Sequence, residues 1–264
     1  MSHENPAADL HLHTTASDGQ LTIEQLPAAA HAGGVEVVAV TDHDRYHPEL
    51  DAPVVERDGL TIIHGIELRV DAGDRQVDLL GYGVEQTPAL TREITRLQED
   101  RVERAREIVE RVEDETEVII DIDIQDGVGR PHIARAIDVS DAPYDYQGAF
   151  DELIGGGSPC YVPRELPSFD DGVAALKSAC DVVSLAHPFR YRDPAGAIEL
   201  CADLDAIERY YPYGFPVETD LLDSAIEKYD LLATGGSDCH DTRLGRAGPP
   251  RDEFSRISDR ISAF

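Results

Sequence analysis

The chain of 264 residues contains no tryptophan, one methionine and only four cysteines. Those cysteines, Cys160, Cys180, Cys201 and Cys239, form no CxxC pair and no disulfide framework, so we expect free thiols in a reducing cytoplasm. No segment approaches the roughly 20 apolar residues of a membrane span. The opening MSHENPAADL lacks the basic end and the apolar middle of a signal peptide, so we expect no export.

Lysine is almost absent as well, since only Lys177 and Lys228 occur among 23 basic residues, against 53 acidic ones. The formal net charge of −30 is spread along the whole chain. Because the Debye length falls from about 8 Å at physiological salt to about 3 Å near 1 M, self-repulsion is largely screened only in brine. The composition resembles that of proteins from salt-loving cells, and we expect a halophilic protein. Such a surface repels duplex nucleic acid, whose binding relies on basic side chains.

Short apolar runs alternate with helical stretches, and a hydrophobic content of 41% is sufficient for a folded core. The runs are typical of strands buried on both faces of a parallel sheet. The predicted strands are Val35–Val40, Leu60–Ile66, Val77–Val84, Val182–Ala186, Asp205–Glu208 and Leu231–Thr234. The predicted helices among them are Thr22–Ala32, Ser168–Cys180, Pro194–Ala202 and Thr219–Tyr229. We therefore expect one α/β domain over residues 1–264, either barrel-like or doubly wound.

One region departs from this alternation. Pro88–Asp114 reads as a long helix whose non-apolar faces carry interleaved arginine and glutamate, which is typical of a solvated surface. Shorter helices are predicted at Pro131–Val139 and Tyr146–Ile154, the second followed by three glycines. We interpret residues 88–165 as a helical insertion, a cap over the active-site rim of the barrel.

Histidines and carboxylates recur where predicted strands end. His11 and His13 are two positions apart, so both rings point to one side of an extended strand. Further side chains of this kind occur in or after the later strands: Asp18, His43, Glu67, Asp78, His187, Asp238 and His240. Each alone is more often a hydrogen-bonded structural residue. Because strand ends meet at one rim in α/β barrels, their joint recurrence predicts a metal site.

These motifs resemble those of the polymerase and histidinol phosphatase (PHP) family of metal-dependent phosphoesterases. The resemblance extends from Asp9 to about Gly245 and rests on DLHLHTTASDG, VTDHD, GIE, LAHP and GSDCH. It implies a distorted (β/α)7 barrel with up to three divalent metal ions. The segments GRPHIARAI, GGGSPCYVP and AHPFRY are similar to the branch that dephosphorylates nucleoside 3′,5′-bisphosphates and trims short RNA from its 5′ end.

The resemblance implies three metal positions. The first is held by His11, His13, Glu67 and Asp238, the second by Glu67, Asp78 and His187, and the third by Asp18, His43 and His240. Asp78 departs from the branch, which usually has histidine there; it either favours a harder ion or leaves the second position weak. We expect two to three divalent ions, Mn²⁺ first, with Zn²⁺ or Fe²⁺ as alternatives.

Arginine suits phosphate oxygens because its planar fork matches their geometry. Arg130 and Arg190 are therefore candidate substrate-binding residues, and Arg135 and Arg164 are weaker candidates. His132 is the candidate catalytic residue, either donating a proton to the leaving group or binding phosphate.

Asp42 and Asp44 are interpreted as residues that orient the metal ligands. The expected reaction is hydrolysis of phosphate from a small nucleotide or from the 5′ end of short single-stranded RNA. We expect no partnership with duplex nucleic acid or membrane, and no obligate protein partner. Two alternatives remain open at this point, a histidinol-phosphate phosphatase and a non-catalytic metal-binding module.

Overall fold

Two compact units make up the chain in a computed structural model that describes residues 6–264. Unit 1 is Met1–Glu93 with Pro167–Phe264, and unit 2 is Ile94–Leu166. The first five residues of the segment that lacks signal-peptide character lie outside the described part. Among the described residues, no helix combines the length and the apolar character needed to cross a membrane.

A single curled sheet forms the framework of unit 1. Its order is β1-β2-β4-β5-β6-β7-β8, and β3 pairs with β4 beside this path. The two ends of the sheet approach each other at a parallel bridge between Leu12 and Cys239. The strands are β1 (Ala8–Leu12), β2 (Val37–Val40), β3 (Val54–Arg57), β4 (Leu60–Asp71), β5 (Gln76–Tyr82), β6 (Val182–Leu185), β7 (Ala206–Tyr210) and β8 (Leu232–Gly235). The expected barrel-like α/β fold is thereby confirmed.

The expectation of an all-parallel sheet is wrong at β5 and β3. β5 runs antiparallel to both β4 and β6, and β3 runs antiparallel to β4. The physical reason is the connection, because only residues 72–75 join β4 to β5, which is too short for the crossover that parallel strands require. The pairs β1–β2, β2–β4, β6–β7 and β7–β8 are parallel.

The helices follow the predicted periodicity closely. They are α1 (Leu26–Gly33), α2 (Pro88–Thr116), α3 (Arg130–Asp138), α4 (Tyr146–Gly148) continuing as a π-helix (Ala149–Ile154), α5 (Phe169–Lys177), α6 (Pro194–Glu199), α7 (Thr219–Tyr229) and α8 (Arg251–Ser258). Local chemistry sets their ends: Ser168 caps α5 by accepting from the Asp171 N–H, and Gly34 ends α1 in the left-handed conformation. Single turns of 3₁₀ helix precede α1 (Ile23–Gln25) and follow α6 (Leu200–Asp203), where continuous helix was predicted.

Successive side chains of a strand point to opposite faces of the sheet, so unit 1 has two separate apolar clusters. Leu10, Ala39 and Ile63 belong to one cluster, which also contains side chains from β5, β6, β7 and β8. Val38 and Val40, on the opposite face of β2, pack with α1 in the other cluster. Unit 2 has an apolar core of its own, which draws on α2, α3 and the π-helix. The strand ends of unit 1 are thus anchored on both faces, and their polar side chains are held in fixed positions.

Candidate metal centre

The ends of the strands bring nine of the predicted site residues together in unit 1. His11 lies in β1 and His13 follows it, and a register shift between Asp9 and Leu12 interrupts the pairing of β1 with β2 at this point. Irregularities of this kind re-aim side chains near active sites. Glu67 and Asp78 lie within the antiparallel strands β4 and β5. The others follow β1, β2, β6 and β8: Asp18, His43, His187, Asp238 and His240.

Four atoms in this group are spaced like the ligands of one ion. His13 Nε2 lies 3.3 Å from both Glu67 Oε2 and Asp238 Oδ1, and His11 Nε2 lies 3.5 Å from the same two oxygens. A tetrahedron with a centre-to-ligand distance of about 2.1 Å has edges of about 3.4 Å, which these four distances match. His11, His13 and Asp238 can place one ligand atom each around a common point, and Glu67 Oε2 lies beside both imidazoles. These are the residues predicted for the first metal position.

Buried polar atoms without partners give an independent test of that fit. Within the described part of the chain, His11 Nε2, His13 Nε2 and Glu67 Oε2 are buried and have no hydrogen-bond partner. Leaving such atoms unsatisfied is costly, and a group of them around one point is the arrangement that a metal ion satisfies. The donor chemistry, two imidazole nitrogens and two carboxylate oxygens, suits ions such as Zn²⁺, Fe²⁺ or Mn²⁺.

A second cluster contains the residues predicted for the third metal position. Asp18 Oδ1 lies 3.2 Å from His240 Nε2 and 3.9 Å from His43 Nε2. The His13 ring stacks between those of His43 and His240, with centroid distances of 4.4 and 4.2 Å. Together with His13, these three side chains can place one ligand atom each around a common point. This cluster therefore also fits a metal ion.

The third cluster is different because an arginine occupies it. His187 Nε2 lies 3.1 Å from Glu67 Oε1 and 3.7 Å from Asp78 Oδ2, as a second metal position would require. Arg69, however, donates from Nε and Nη2 to the two Asp78 oxygens, at 2.7 Å each. Sequence reasoning missed Arg69, although it shares a strand face with Glu67 two positions earlier.

Glu208 is a second residue that sequence reasoning missed. It is fully buried in β7, where one carboxylate oxygen lies 3.1 Å from His11 Nδ1 and the other accepts the His187 N–H at 2.7 Å. A carboxylate that bonds the far nitrogen of a ligand imidazole fixes its tautomer and orientation. The available signal was an acidic residue closing the apolar run DAIE.

Asp42 organises the turn that carries His13 and Asp18. Its carboxylate accepts from the Thr14 N–H at 2.8 Å, the Thr14 hydroxyl at 2.7 Å and the Ser17 hydroxyl at 2.6 Å. Asp44 accepts the Arg69 N–H at 3.2 Å through Oδ1. Asp42 thus orders the turn between His13 and Asp18, and Asp44 holds the main chain of Arg69, while their role in orienting metal ligands stays a prediction.

Arg190 reaches the same cluster through Asp238. Its Nη1 donates to Asp238 Oδ2 at 2.9 Å and to the Tyr211 hydroxyl at 2.9 Å, and Tyr211 donates to the same Asp238 oxygen at 2.7 Å. The first metal cluster uses the other oxygen, Oδ1. Arg190 lines a cavity of about 340 Å³ together with Glu67, Arg69 and His187. The candidate phosphate ligand and the metal cluster therefore share one cavity in unit 1.

Two ligand residues adopt backbone conformations that are rare outside glycine. His187 has φ of 29° and Asp238 has φ of 48°. Residues other than glycine seldom adopt this left-handed backbone conformation, which costs roughly 1 kcal/mol or more for each residue. Strained residues of this kind concentrate where a side chain must be held in a particular direction. Both side chains here point into the metal cluster.

The pKa values of the cluster follow from burial and mutual charge. Burial works against the charge of His13, but pairing with the Asp238 and Glu67 carboxylates outweighs it and raises the pKa of His13 to about 10. Burial likewise opposes ionisation of Glu67 and Asp238, yet the surrounding histidines hold both carboxyl pKa values well below the usual range. Without metal, the cluster therefore holds protons on its histidines, and a bound ion would have to displace them.

Unit 2 contains two predicted substrate-binding residues, Arg130 and Arg135, and the predicted catalytic residue His132. Arg130 lies at the start of α3, donates from Nη1 to the Ile154 carbonyl and stacks over the Tyr161 ring at 5.8 Å. Arg135 lies over the Tyr146 ring at 6.0 Å. His132 accepts the Gly129 N–H at Nδ1, 3.1 Å away, which caps the first turn of α3. This hydrogen bond fixes the orientation of the His132 ring at the start of α3.

Unit 2 also concentrates positive charge around Tyr161. Burial lowers the pKa of Arg104 to about 10, and the nearby charges of Arg130, Arg164 and Arg101 lower it further in the same direction. Arg104 is stacked at 5.8 Å over the Tyr161 ring that Arg130 also contacts. Arg104 therefore lies close to three other arginines, in a segment whose 18 acidic residues outnumber its 8 basic ones. One of the three, Arg164, has its Nε 3.6 Å from Asp100 Oδ2. The sequence analysis identified Arg130 and Arg164 but neither of the other two.

Comparisons with known proteins agree with this chemistry. Residues 9–121 match the PHP domain family. The chain is 30% identical to the 3′,5′-nucleoside bisphosphate phosphatase of Chromobacterium violaceum, over 69% of this chain and 67% of the relative. It is 30% identical to the 5′-3′ exoribonuclease Rnm of Escherichia coli, over 91% of this chain and 88% of the relative.

A third relative has a different named activity. The phosphoribosyl 1,2-cyclic phosphate 1,2-diphosphodiesterase of Eggerthella lenta is 30% identical over 88% of this chain and 93% of the relative. Among solved structures, a metal-dependent phosphoesterase of Bifidobacterium adolescentis superimposes with a TM-score of 0.80 at 26% identity, covering 97% of this chain and 98% of that one. Hydrolysis of phosphate esters is common to these names, and the structure from Bifidobacterium adolescentis is named as metal-dependent.

Proposed function

The chain belongs to the PHP family of metal-dependent phosphoesterases, and we propose that its substrates are nucleoside 3′,5′-bisphosphates and the 5′ ends of short RNA. The observation that carries the proposal is the cluster of His11, His13, Glu67 and Asp238, in which each imidazole Nε2 lies 3.3 to 3.5 Å from both carboxylates. Glu67 and Asp238 also line the cavity that Arg190 lines. The names of the bacterial relatives support the nucleotide substrate.

Each group of side chains has a distinct part in the proposed reaction. The divalent ions, when bound, would activate water as a nucleophile and neutralise charge on the phosphoryl oxygens. The residues of the first and third metal positions would hold those ions in a fixed array, which Glu208 and Asp42 keep in register through the hydrogen bonds described above. We assign the ions as Mn²⁺, because carboxylate oxygens make up a large share of the donor set.

Arginines are the proposed substrate-binding residues. In unit 1, Arg190 can exchange its bond with Asp238 for a bidentate bond to a phosphate, which is the stronger partner geometry for guanidinium. In unit 2, Arg130 is proposed as a substrate-binding residue and Arg164 as a weaker candidate, because the planar guanidinium matches the geometry of phosphate oxygens. Arg135 adds a further cation on α3. His132, whose Nδ1 accepts the Gly129 N–H, is the proposed proton donor to the leaving group.

The proposal includes a cytoplasmic location and a halophilic solvent. All four cysteines lie unpaired in the described part of the chain, as expected in a reducing compartment. The net charge of −30 favours single-stranded or small substrates over duplexes, because little of the surface can displace counterions from a long phosphate backbone.

Phosphate release from defined substrates tests the proposal. The protein, folded in molar KCl and loaded with Mn²⁺, is expected to release inorganic phosphate from adenosine 3′,5′-bisphosphate and mononucleotides from a short 5′-phosphorylated RNA. The His13→Ala variant is the matched control for a contaminating phosphatase. Absence of both products from the wild-type protein would refute the substrate assignment.

Two further substrates separate the remaining possibilities. Histidinol phosphate tests the alternative left open by the sequence, and phosphoribosyl 1,2-cyclic phosphate tests the activity named for the Eggerthella lenta relative. A kcat/KM for either compound above that for the bisphosphate would replace the proposed substrate while leaving the metal-dependent phosphoesterase in place. A protein that binds metal ions and hydrolyses none of the four would be the non-catalytic module instead.

A further inference from the structure

Arg69 and Asp78 form an ion pair beside the predicted metal ligands. Two guanidinium nitrogens of Arg69 donate to the two Asp78 oxygens at 2.7 Å each, which is the bidentate geometry of a strong ion pair. Asp78 is almost completely buried, with 1% of its side chain exposed. A buried carboxylate in this position needs a permanent positive partner, and Arg69 supplies it.

The backbone builds this pair into the sheet. Arg69 and Asp78 lie directly opposite each other in the antiparallel register of β4 and β5. Asp44 accepts the Arg69 N–H, and the Tyr191 hydroxyl accepts the Asp78 N–H at 2.8 Å. Both residues are therefore held at main chain and side chain, and the ion pair is a fixed part of the site rather than a surface contact.

Such a pair conflicts with a divalent ion at the same carboxylate. With Asp78 committed to Arg69, only Glu67 and His187 remain as donors, whereas three protein ligands are usual at a catalytic zinc site. An ion placed there would also lie a few ångströms from a fixed guanidinium charge, and like charges at that distance repel strongly. The residues present therefore fit the first and third metal positions but not the second.

The third guanidinium nitrogen of Arg69, Nη1, does not contact Asp78. Among the described residues, Arg69 Nη1 makes no hydrogen bond, and the side chain lines the cavity together with Glu67, His187 and Arg190. We infer that Arg69, held by Asp78, replaces the second divalent ion and binds a phosphoryl oxygen of the substrate directly. This inference deepens the proposed function and rests on the phosphoesterase site described above.

Counting bound ions tests the first half of the inference. After equilibrium dialysis at a defined excess of Mn²⁺, elemental analysis is expected to find two ions per wild-type chain. The double variant Arg69→Ser/Asp78→His removes the guanidinium and adds an imidazole donor, so it is expected to bind three. Three ions in the wild-type protein, or two in this variant, would overturn the inference.

Binding of inorganic phosphate tests the second half. The variant Arg69→Gln/Asp78→Asn removes both charges, keeps the size of the pair and allows the two amides to hydrogen-bond. In calorimetric titrations of the Mn²⁺-loaded proteins, it is expected to bind phosphate about tenfold to a hundredfold more weakly than the wild type. Equal affinity would show that Arg69 makes no phosphate contact and would overturn this half.

A nearby arginine gives the matched control. Arg75 lies in the loop between β4 and β5 and pairs with Asp74 and Asp193 on the surface. Arg75→Gln is expected to bind two Mn²⁺ ions and to retain wild-type phosphate affinity. Because metal count and phosphate affinity do not depend on the nucleotide, failure of the nucleotide assay would refute the substrate assignment and leave this inference standing.

Discussion

Glu67 is the residue on which the metal clusters converge. Its Oε2 lies 3.0 Å from His43 Nδ1 and 3.3 Å from His13 Nε2, and its Oε1 lies 3.1 Å from His187. Glu67→Gln preserves the shape of the side chain but removes the negative charge that compensates the positive charge of the metal ions. We expect kcat to fall by at least about 1,000-fold, equivalent to about 4 kcal/mol of transition-state stabilisation.

Phosphate release and circular dichroism check this expectation together. His31→Ala changes an exposed histidine on α1 and is the control, expected to retain wild-type turnover. An unchanged far-ultraviolet spectrum of Glu67→Gln would assign the loss to the site rather than to unfolding. Full activity in that variant would remove Glu67 from the ligand set.

The protonated histidine cluster predicts how the metal-free protein responds to pH. The pKa of His13 rises from its ordinary 6.5 to about 10, because pairing with Asp238 and Glu67 outweighs burial. Its contribution to stability is therefore complete below about pH 6.5 and is lost as the pH rises through about 10. Between these limits His13 carries its proton only in the folded state. The free energy of unfolding therefore falls by about 1.4 kcal/mol for each unit by which the pH rises.

Thermal unfolding in EDTA from pH 7 to pH 10 measures this dependence. The Tm of the metal-free protein is expected to fall across the range, and the Mn²⁺-loaded protein is expected to fall less because the ion takes the place of the protons. His13→Ala lacks the group and should show a shallower decline than the wild type. Parallel curves for all three samples would contradict the assignment.

The sequence alone identifies the individual site residues that belong to a motif. It does not identify residues whose role depends on which strands pair and in which register. His11, His13 and Asp238 are identifiable because their spacing and neighbours recur at strand ends. Arg69 is recognisable only once the antiparallel register of β4 and β5 places it opposite Asp78. That register depends on a four-residue connection and on a strand that continues five residues past the predicted end at Ile66.

Strand β1 and the segment that follows β8 lie close together because residue 236 is a glycine. A Cβ added at Gly236 would overlap the backbone nitrogen of His11, so only glycine allows the two segments to lie this close. Gly236→Ala is expected to separate them and displace both His11 and Asp238. Overpacking of this kind typically costs about 1–3 kcal/mol of unfolding free energy.

Chemical denaturation and Mn²⁺ binding measure the two consequences. Gly156→Ala is the matched control, since a Cβ there meets no atom within 4 Å, and we expect a change within about 0.5 kcal/mol. Gly236→Ala should lose Mn²⁺ affinity as well as stability. Wild-type affinity in that variant would mean that the segment after β8 tolerates displacement without moving its ligands.

Element boundaries follow the sequence where local chemistry is strong. The predicted and observed ends of α7 coincide at Thr219 and Tyr229. β3 and α8 were not predicted: β3 is a four-residue strand that is only partly buried, and the apolar side chains of α8 are few and find their partners in distant strands. Elements of this kind are stabilised by tertiary pairing, and local periodicity carries little information about them.

Acidity is a property of the whole molecule rather than of one segment. Residues 94–166 contain 18 acidic and 8 basic residues, and the rest of the chain is acidic too. An acidic tail therefore does not account for the net charge of −30. Because the Debye length falls from about 10 Å at 0.1 M to about 3 Å at 1 M, repulsion among these charges weakens steeply over that interval.

Thermal unfolding in KCl tests whether this repulsion limits stability. The Tm of the Mn²⁺-loaded protein is expected to rise by about 10 °C or more between 0.1 M and 2 M KCl, which for a chain of this size corresponds to a few kcal/mol. Most of the rise should occur below 1 M, where the screening length changes fastest. A sucrose series of matched osmolality stabilises proteins by exclusion from the surface but screens no charge, so it should not reproduce that concentration dependence. A Tm that is flat or falls with KCl would contradict the halophilic interpretation, and the acidity would then have to be explained by binding rather than by solvent.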